Sequence, residues 1–225
     1  MSTPVLLLIV LLVGFGVVLG CAIGAGELLE LAERPDGSTA LDSSITNWVV
    51  AHRTSGLTTL ARAFSTVGSQ TILSPLTALV TVLLVVKRRQ LVLAGLLVAC
   101  WGGALGLYSL TKLFVQRMRP PMDIWLTNVG KTTSFPSGHA TQSMGTFLGL
   151  ALVGAVWLAG VRRAAIVLAV SLAIGVGWSR VYLGVHWTTD VFAGWLIAVV
   201  WVTIVASLAR PASSIKWRPR SGQVS

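Results

Sequence analysis

Two histidines and an aspartate in the second half of the chain have the types and spacing of catalytic residues. His139 lies in one segment, and His186 and Asp190 lie in another, four residues apart. If the second segment is helical, these two residues share a face, and the carboxylate can accept a hydrogen bond from a ring nitrogen. Such a bond fixes the tautomer and makes the opposite nitrogen more nucleophilic. The spacing predicts a histidine nucleophile, although a helix-start aspartate beside an interfacial histidine would show the same pattern.

Basic residues are concentrated around these positions. Taken singly, each could be a residue whose aliphatic stem covers apolar surface while its charge reaches water. Together they indicate that a negatively charged group is held nearby. Asp190 is almost the only acid in the same segments, so the protein itself offers little compensation there. The five basic residues are Lys112, Arg117, Arg119, Lys131 and Arg180.

The tetrapeptide Pro136-Ser137-Gly138-His139 directly precedes a long apolar run. Ser137 has the side chain of a helix N-cap, and Gly138 would let a ligand approach the backbone. The free N–H groups of a first helical turn form an anion site. A plain helix start and an anion site are compatible interpretations of this segment.

The elements that position these residues are apolar. Of the 225 residues, 54% are hydrophobic and 11% are charged, and the mean hydropathy is +0.81. Soluble domains carry about a quarter charged residues, so an ordinary soluble, disordered or collagen-like chain is excluded. The net charge of +10 suits nucleic acid, anionic lipid or a phosphorylated substrate. The hydrophobicity favours the last two, and we expect no nucleic-acid partner.

Six segments are long and apolar enough to be candidates for crossing a bilayer, which needs roughly 20 residues. A spanning segment in lipid must satisfy its own backbone hydrogen bonds, so runs of this length are helices. We therefore predict an all-α polytopic membrane helix bundle with six transmembrane helices, forming one domain over residues 1–225. The segments are 4–26, 64–86, which contains Pro75, 91–111, 140–161, the short 164–178, and 191–209.

Basic residues outside the candidate site indicate the orientation of these six segments. They occur in three groups, and with six spans all three groups lie on the same side. The positive-inside rule makes that side, and both termini, cytoplasmic. Segments 27–63, 112–139 and 180–190 then face outward, so the candidate site lies on the outer face of the membrane. The three groups are Lys87, Arg88 and Arg89; Arg162 and Arg163; and Arg210, Lys216, Arg218 and Arg220.

Three regions outside the spans carry weaker patterns. Segment 27–63 mixes acids with apolar residues, which predicts one or two interfacial helices. The first span could instead be a signal peptide, because Val18-Leu19-Gly20-Cys21 loosely matches a lipoprotein cleavage box, but no Lys or Arg precedes it. The tail from Pro211 is polar and basic, and we expect it to be mobile.

Three blocks of the sequence together resemble a known family. Lys112 is followed after six residues by Arg119-Pro120; Pro136-Ser137-Gly138-His139 comes next; and Ser179-Arg180, His186 and Asp190 complete the pattern. In order and spacing they are similar to the signature of the type-2 phosphatidic acid phosphatases, whose superfamily includes polyprenyl-pyrophosphate phosphatases and vanadium haloperoxidases. The blocks, 112–120, 136–139 and 179–190, lie within about a third of the chain.

The resemblance implies a role for each of these residues. His186 would attack phosphorus and form a phosphohistidine, supported by Asp190, while His139 would act first as acid and then as base. The phosphoryl oxygens would be held by Lys112, Arg119, Ser137, Gly138 and Arg180. Arginine and lysine suit phosphate oxygens, and phosphoryl transfer depends mainly on positioning and charge stabilisation. We expect no cofactor and no metal, because three neighbouring cations would repel a zinc ion from these histidines.

The implied function is hydrolysis of a lipid phosphate or pyrophosphate, with polyprenyl pyrophosphate favoured by analogy. Phosphatidic acid and phosphatidylglycerol phosphate remain open as substrates. The alternatives are a phosphotransferase that hands the same phosphohistidine to a lipid or sugar, a non-enzymatic anion-binding membrane protein, and a vanadate-dependent haloperoxidase. The expected partners are the substrate lipid and the bilayer, and the sequence does not indicate an oligomeric state.

Overall fold

The computed structural model describes residues 3–86, 90–130, 132–157, 160 and 162–213. Within these residues the secondary structure consists of eight α-helices and one short 3₁₀ helix, Met122–Ile124, with no strand. This confirms the all-helical class. The α-helices are α1 (Thr3–Leu31), α2 (Ala40–Ala51), α3 (Ser55–Val67), α4 (Gln70–Val86), α5 (Leu91–Phe114), α6 (Gly138–Trp157), α7 (Arg162–Tyr182) and α8 (Thr188–Ser213).

Four helices are long and apolar enough to cross a membrane by length and composition, and α3 with α4 passes as a bent pair. The described residues therefore contain four or five candidate spans, and the predicted six are not confirmed. Helix α6 has polar first turns and is not among the four, and the span predicted there continues into residues that the structure does not describe. Its polar side chains are buried inside the bundle, where the Thr141 hydroxyl and the Gln142 amide donate to backbone carbonyls. The four helices contain the spans Val5–Leu31, Leu91–Phe114, Arg163–Tyr182 and Thr188–Leu208.

The second predicted segment, 64–86, is wrong at its start. Helix α3 ends at Val67, α4 begins at Gln70, and the two axes differ by 43°. A Cβ added to Gly68, between them, would lie 2.2 Å from Cγ1 of Val176 in α7. Gly68 caps the end of α3, and its missing side chain lets the bend pack directly against α7.

Segment 27–63 contains α2 and most of α3, which continues to Val67, so the predicted helices are present and their position at a membrane interface stays a prediction. Helix α1 extends to Leu31, five residues past the predicted end of the first span. Helix α2 begins with a capping box, in which the Thr39 hydroxyl accepts a hydrogen bond from the Asp42 N–H and the Asp42 carboxylate accepts one from the Thr39 N–H. This cap holds Asp42 at the first turn of α2.

Helix α6 is the centre of the bundle and packs against α5, α7 and α8. Glycines permit these approaches. A Cβ on Gly145 would lie 2.7 Å from the Ala104 Cβ, and one on Gly149 would lie 2.9 Å from the Cys100 Cβ. The close contact of α5 with α6 brings the end of α5, with Lys112, beside the start of α6, with His139.

Part of the predicted topology falls on residues that the structure does not describe. Helix α8 continues to Ser213, two residues past the predicted start of the tail at Pro211. The rest of the tail lies outside the described residues, as do several of the basic residues on which the predicted orientation depends. Outside the described residues are Lys87, Arg88, Arg89, Lys131, Lys216, Arg218 and Arg220.

Two adjacent glycines in α5 provide a test of the packing. A Cβ on Gly103 would lie 2.0 Å from Nε1 of Trp201, whose N–H donates to the Ala99 carbonyl over 2.8 Å. A Cβ on Gly102 would meet nothing within 4 Å. We expect Gly103→Ala to lower stability by about 1–3 kcal/mol through overpacking, and Gly102→Ala to leave it unchanged or slightly raised. The thermal unfolding midpoints of both variants in detergent test this prediction. Equal midpoints would contradict the close packing of Gly103 against Trp201.

Candidate functional site

A cavity of about 320 Å³ lies where α4, α5, α6 and α7 meet the segment before α8. Its wall combines positive charge with imidazole rings. Of the eight residues predicted to form the site, six line this cavity, Asp190 lies behind His186, and Ser137 is buried without being part of the lining. The six lining residues are Lys112, Arg119, Gly138, His139, Arg180 and His186.

His186 lies in the turn between α7 and α8, and 3% of the residue is exposed. The turn depends on Gly184, whose φ of +76° is in the left-handed region and whose added Cβ would lie 2.5 Å from the Ile124 carbonyl oxygen. Only a glycine suits both constraints. Gly184 therefore determines the shape of the turn that places His186 at the cavity wall.

The partners of the His186 ring define its tautomer. Nδ1 lies 3.4 Å from Oδ2 of Asp190 and 3.4 Å from the Ser134 hydroxyl, while Nε2 lies 3.1 Å from Nη1 of Arg119. A guanidinium only donates and a carboxylate only accepts, so we assign the proton to Nδ1. The lone pair of Nε2 is then on the cavity side, beside Arg119.

The ring is held in its neutral form. Burial, followed by the positive charges of Arg119, Lys112 and Arg180, holds the pKa of His186 well below its usual range. A neutral imidazole with its proton on Nδ1 can use Nε2 as a nucleophile.

Asp190 approaches His186 by a route that the sequence pattern did not predict. Helix α8 begins at Thr188, so His186 lies outside the helix and the condition for a shared helical face is not met, although the two side chains do meet. Asp190 instead lies in the first turn of α8, and its Oδ2 accepts the Trp187 N–H over 2.9 Å. A carboxylate in the first turn that bonds the backbone before the helix is a common N-terminal cap. The same oxygen reaches His186 Nδ1 from this position.

Backbone carbonyls hold two of the cavity cations. Lys112 Nζ donates to the Thr133 carbonyl over 2.5 Å. Arg119 Nε donates to the Thr132 carbonyl over 2.9 Å, and its Nη1 donates to the Val185 carbonyl. Donors held in this way need no reorganisation when an anion binds.

Arg180 retains free donor capacity. Its Nη1 donates to the Ser65 hydroxyl, but its buried Nε has no partner among the described residues. An unpaired buried N–H costs free energy, and an anion in the cavity would supply an acceptor. Arg180 is therefore the cation whose hydrogen bonding is least complete without a ligand.

Ser137 does not cap α6 with its side chain, contrary to expectation. Its carbonyl accepts the Thr141 N–H over 2.9 Å and its N–H donates to the Asp190 carbonyl over 3.1 Å, but its buried hydroxyl has no partner in the described part of the chain. Gly138 lines the cavity, and an added Cβ would lie 3.0 Å from the Tyr108 ring. The glycine thus allows α5 and α6 to approach each other at the site.

Arg117 is not a cavity residue, although it belongs to the predicted cationic group. Its side chain is fully buried and forms ion pairs with Glu33, Asp42 and Asp190. Asp190 remains almost the only acid of its own segments, but the segment after α1 and the first turn of α2 bring two more acids close to it. Glu33 and Asp42 lie in a segment interpreted only as interfacial helices, and no local pattern connects them with the motifs.

Four neutral polar residues also line the cavity, Asn128 from the loop before α6 and Gln70, Tyr108 and Gln142 from the helices. The Gln70 amide donates to the Tyr108 hydroxyl over 2.8 Å, and the Gln142 amide donates to the Trp101 carbonyl over 3.1 Å. Their polarity inside otherwise apolar helices was the available indication, and sequence reasoning did not use it. They add hydrogen-bonding groups to the cationic wall.

Comparison with known proteins finds a matching family model and a related enzyme. The family model described as PAP2 superfamily matches residues 90–213, which are 124 of the 225 residues. The undecaprenyl-diphosphatase of Sulfolobus acidocaldarius is 30% identical over 141 residues, which cover 61% of this chain and 65% of that protein, a little under two thirds of its length.

Two solved structures share the fold. The crystal structure of a transmembrane PAP2 type phosphatidylglycerolphosphate phosphatase from Bacillus subtilis matches with a TM-score of 0.71 at 21% identity, covering 97% of this chain and 100% of that one. Aquifex aeolicus LpxE matches with a TM-score of 0.58 at 22% identity, covering 76% of this chain and 98% of its own. At these identities the likeness concerns the fold.

The protonation of His186 can be measured directly. Because its pKa is lowered, the ring should stay neutral as the pH falls past 6.5, the usual histidine value, and should protonate only at lower pH. NMR of protein labelled with ¹⁵N-histidine in detergent, with the signal assigned by His186→Gln, follows this titration. A midpoint at or above pH 6.5 would contradict the neutral, buried ring.

Proposed function

Because the chain belongs to the PAP2 superfamily, we propose that it is a membrane-embedded, metal-independent phosphohydrolase acting on a lipid phosphate or pyrophosphate. The proposal rests mainly on one observation. The unprotonated Nε2 of His186 lies in a cavity whose wall also contains His139, Lys112, Arg119 and Arg180. A nucleophile, a second titratable imidazole and three cations are the components that phosphoryl transfer requires.

In the first step Nε2 of His186 attacks phosphorus. The P–N bond forms as the bond from phosphorus to the leaving oxygen breaks, and protonated His139 gives its proton to that oxygen. The imidazole becomes positive as it bonds phosphorus, and Asp190 stabilises that charge through the Nδ1–H group. The dephosphorylated lipid, or the lipid with one phosphate fewer, leaves the cavity.

In the second step water releases the phosphate. His139, now neutral, takes a proton from water while the water oxygen attacks phosphorus, and the P–N bond breaks. Inorganic phosphate leaves, His186 is again neutral, and His139 is again protonated, so one water is consumed per phosphate released. Throughout, Lys112, Arg119 and Arg180 stabilise the charge on the phosphoryl oxygens, and the unpaired Nε of Arg180 supports this role.

The related proteins and the membrane location support the proposed substrates. One relative is an undecaprenyl-diphosphatase and one structural neighbour is a phosphatidylglycerolphosphate phosphatase. We propose a polyprenyl pyrophosphate first and a glycerophospholipid phosphate second. The chain is an integral membrane protein, so the lipid tail of either substrate can stay in the bilayer while the phosphate enters the cavity.

The proposed topology retains six spans, with α3 and α4 together forming one and α6 another. The polar residues of α6 are buried by its neighbours, which supports a span despite its composition. Both termini would be cytoplasmic and the cavity would be on the outer face, because the positive-inside rule assigns the basic residues of the sequence outside the site to the cytoplasmic side.

Phosphate release tests the proposed function. We expect the purified protein in detergent, with EDTA present, to release phosphate from polyprenyl pyrophosphate. We expect His186→Ala to lose this activity because the nucleophile is gone, and His52→Ala to retain it, since His52 is an exposed residue that does not line the cavity. Phosphatidic acid and phosphatidylglycerol phosphate assayed in parallel rank the substrates. Release that appears only when a lipid or sugar acceptor is added would instead identify a phosphotransferase.

The two histidines predict a bell-shaped pH dependence of kcat/KM, since His186 must be neutral and His139 protonated. The lowered pKa of His186 places the acidic limb below pH 6.5. Steady-state rates across about pH 4 to 9 test this, and a flat profile with an unchanged rate-limiting step would contradict the assigned roles.

A further inference from the structure

Arg117 lies behind the proposed nucleophile and outside the cavity, with its side chain completely enclosed. All five of its N–H groups have acceptors. Nε donates to Glu33, Nη1 donates to Asp190 and to the Thr189 hydroxyl, and Nη2 donates to Asp42 and to the Gly37 carbonyl. The respective distances are 2.5, 2.6, 2.6, 2.8 and 3.3 Å.

These contacts join distant parts of the chain. Arg117 lies within the region that matches the family model, residues 90–213, whereas Glu33, Gly37 and Asp42 lie before it. Asp42 also contacts the start of α8, where its Oδ1 accepts the Thr189 N–H over 2.9 Å. The end of α1 and the start of α2 are therefore connected to the turn that carries His186 and Asp190.

We propose that Arg117 and Asp42 form a clamp that positions Asp190 against His186, so that Asp42, which lies before the family region, helps to orient the proposed nucleophile. The proposal rests on the proposed function, in which His186 is the nucleophile. Arg117 and Asp42 are positioning residues, since neither touches the cavity.

The division of contacts between the two oxygens of Asp190 supports positioning. Oδ1 accepts from Arg117, while Oδ2 accepts from the Trp187 N–H and the Ser134 hydroxyl and faces His186 Nδ1. With Oδ1 held by Arg117, the carboxylate cannot rotate without breaking a charge-assisted hydrogen bond. Oδ2 is thereby kept on the side of the imidazole.

Stability alone is a weaker explanation of this cluster. Removing several charges from water costs free energy that offsets much of their mutual attraction. Proteins in which apolar residues replace a buried ion pair are often as stable.

A cluster of one arginine and three carboxylates also leaves excess negative charge near His186. That charge favours the imidazolium, so the balance between Arg117 and Asp42 influences how readily His186 stays neutral.

The charges that face His186 come from every neighbouring element. The cations act against protonation and the carboxylates favour it. Arg117 offsets Asp190, so its removal should make protonation of His186 easier. Asp42 offsets Arg117, so its neutralisation should make protonation harder. The groups that act directly on His186 are Lys112 from α5, Arg119 from the following segment, His139 from α6, Arg180 from α7 and Asp190 from α8. Arg117 reaches His186 through Asp190, and Asp42 from α2 and Glu33 after α1 pair with Arg117.

The first experiment measures kcat and KM for Arg117→Met, Arg117→Lys and Asp42→Asn. Asp36→Asn is the matched control, because Asp36 lies in the same segment and accepts hydrogen bonds from Ser38. We expect kcat to fall about 10- to 100-fold in Arg117→Met and Asp42→Asn with KM little changed, as for other residues that orient a reacting group. Arg117→Lys should recover part of the loss, and Asp36→Asn should match the wild type. Unchanged kcat in Arg117→Met and Asp42→Asn would overturn the proposal.

The second experiment follows the ¹⁵N-histidine signal of His186 in the same variants and does not depend on turnover. We expect the titration midpoint to rise in Arg117→Met and to fall in Asp42→Asn, by about one pH unit or less. Shifts of the midpoint in the same direction in both variants, or no shift, would overturn the clamp, because loosening of the fold would not move the two midpoints in opposite directions.

If Arg117→Met does not fold, Arg117→Lys and Asp42→Asn still decide the question. A wild type without phosphatase activity would overturn the proposed function, while the NMR result would still decide the clamp.

Discussion

Burying several cations beside one histidine requires that their N–H groups have acceptors, and the architecture around the cavity follows from this constraint. Lys112 and Arg119 use carbonyls of residues 132–134 and 185, so the loop before α6 and the turn before α8 are held at the site. Arg117 uses three carboxylates and thereby ties α1 and α2 to α8. Each buried charge thus joins two or more segments.

The groups left unpaired are as informative as those that are paired. Among the described residues, nine buried side-chain nitrogen and oxygen atoms have no partner, and two of them, the Arg180 Nε and the Gln142 carbonyl oxygen, belong to residues that line the cavity. Buried polar groups without partners are costly, so a site that keeps them is prepared for a ligand or for water. The positive wall favours an anion as that ligand.

Small residues allow the charged and polar site to form inside an otherwise apolar helix bundle. Gly145 and Gly149 allow α6 to lie against α5, and Gly68 allows the bend between α3 and α4 to lie against α7. Helix α6 can then carry polar residues on buried faces, where its neighbours shield them from lipid. The apolar side chains of α1 are largely exposed, as expected for a helix in contact with acyl chains.

The sequence by itself determined the cationic and imidazole side chains of the cavity wall, because each motif supplies side chains from one short stretch, but not its neutral polar residues. Lys112, Arg119 and His139 could be identified in this way, and hydropathy was sufficient for the all-helical class. Only the tertiary structure decided that Arg117 faces Glu33 and Asp42, which are 84 and 75 positions away. Contacts over such separations leave no periodic pattern in the chain, so packing alone selects which acid meets which cation. The tertiary structure likewise decided that the bend at Gly68, which ends α3, packs against Val176 of α7, since a side chain at that position would collide with it.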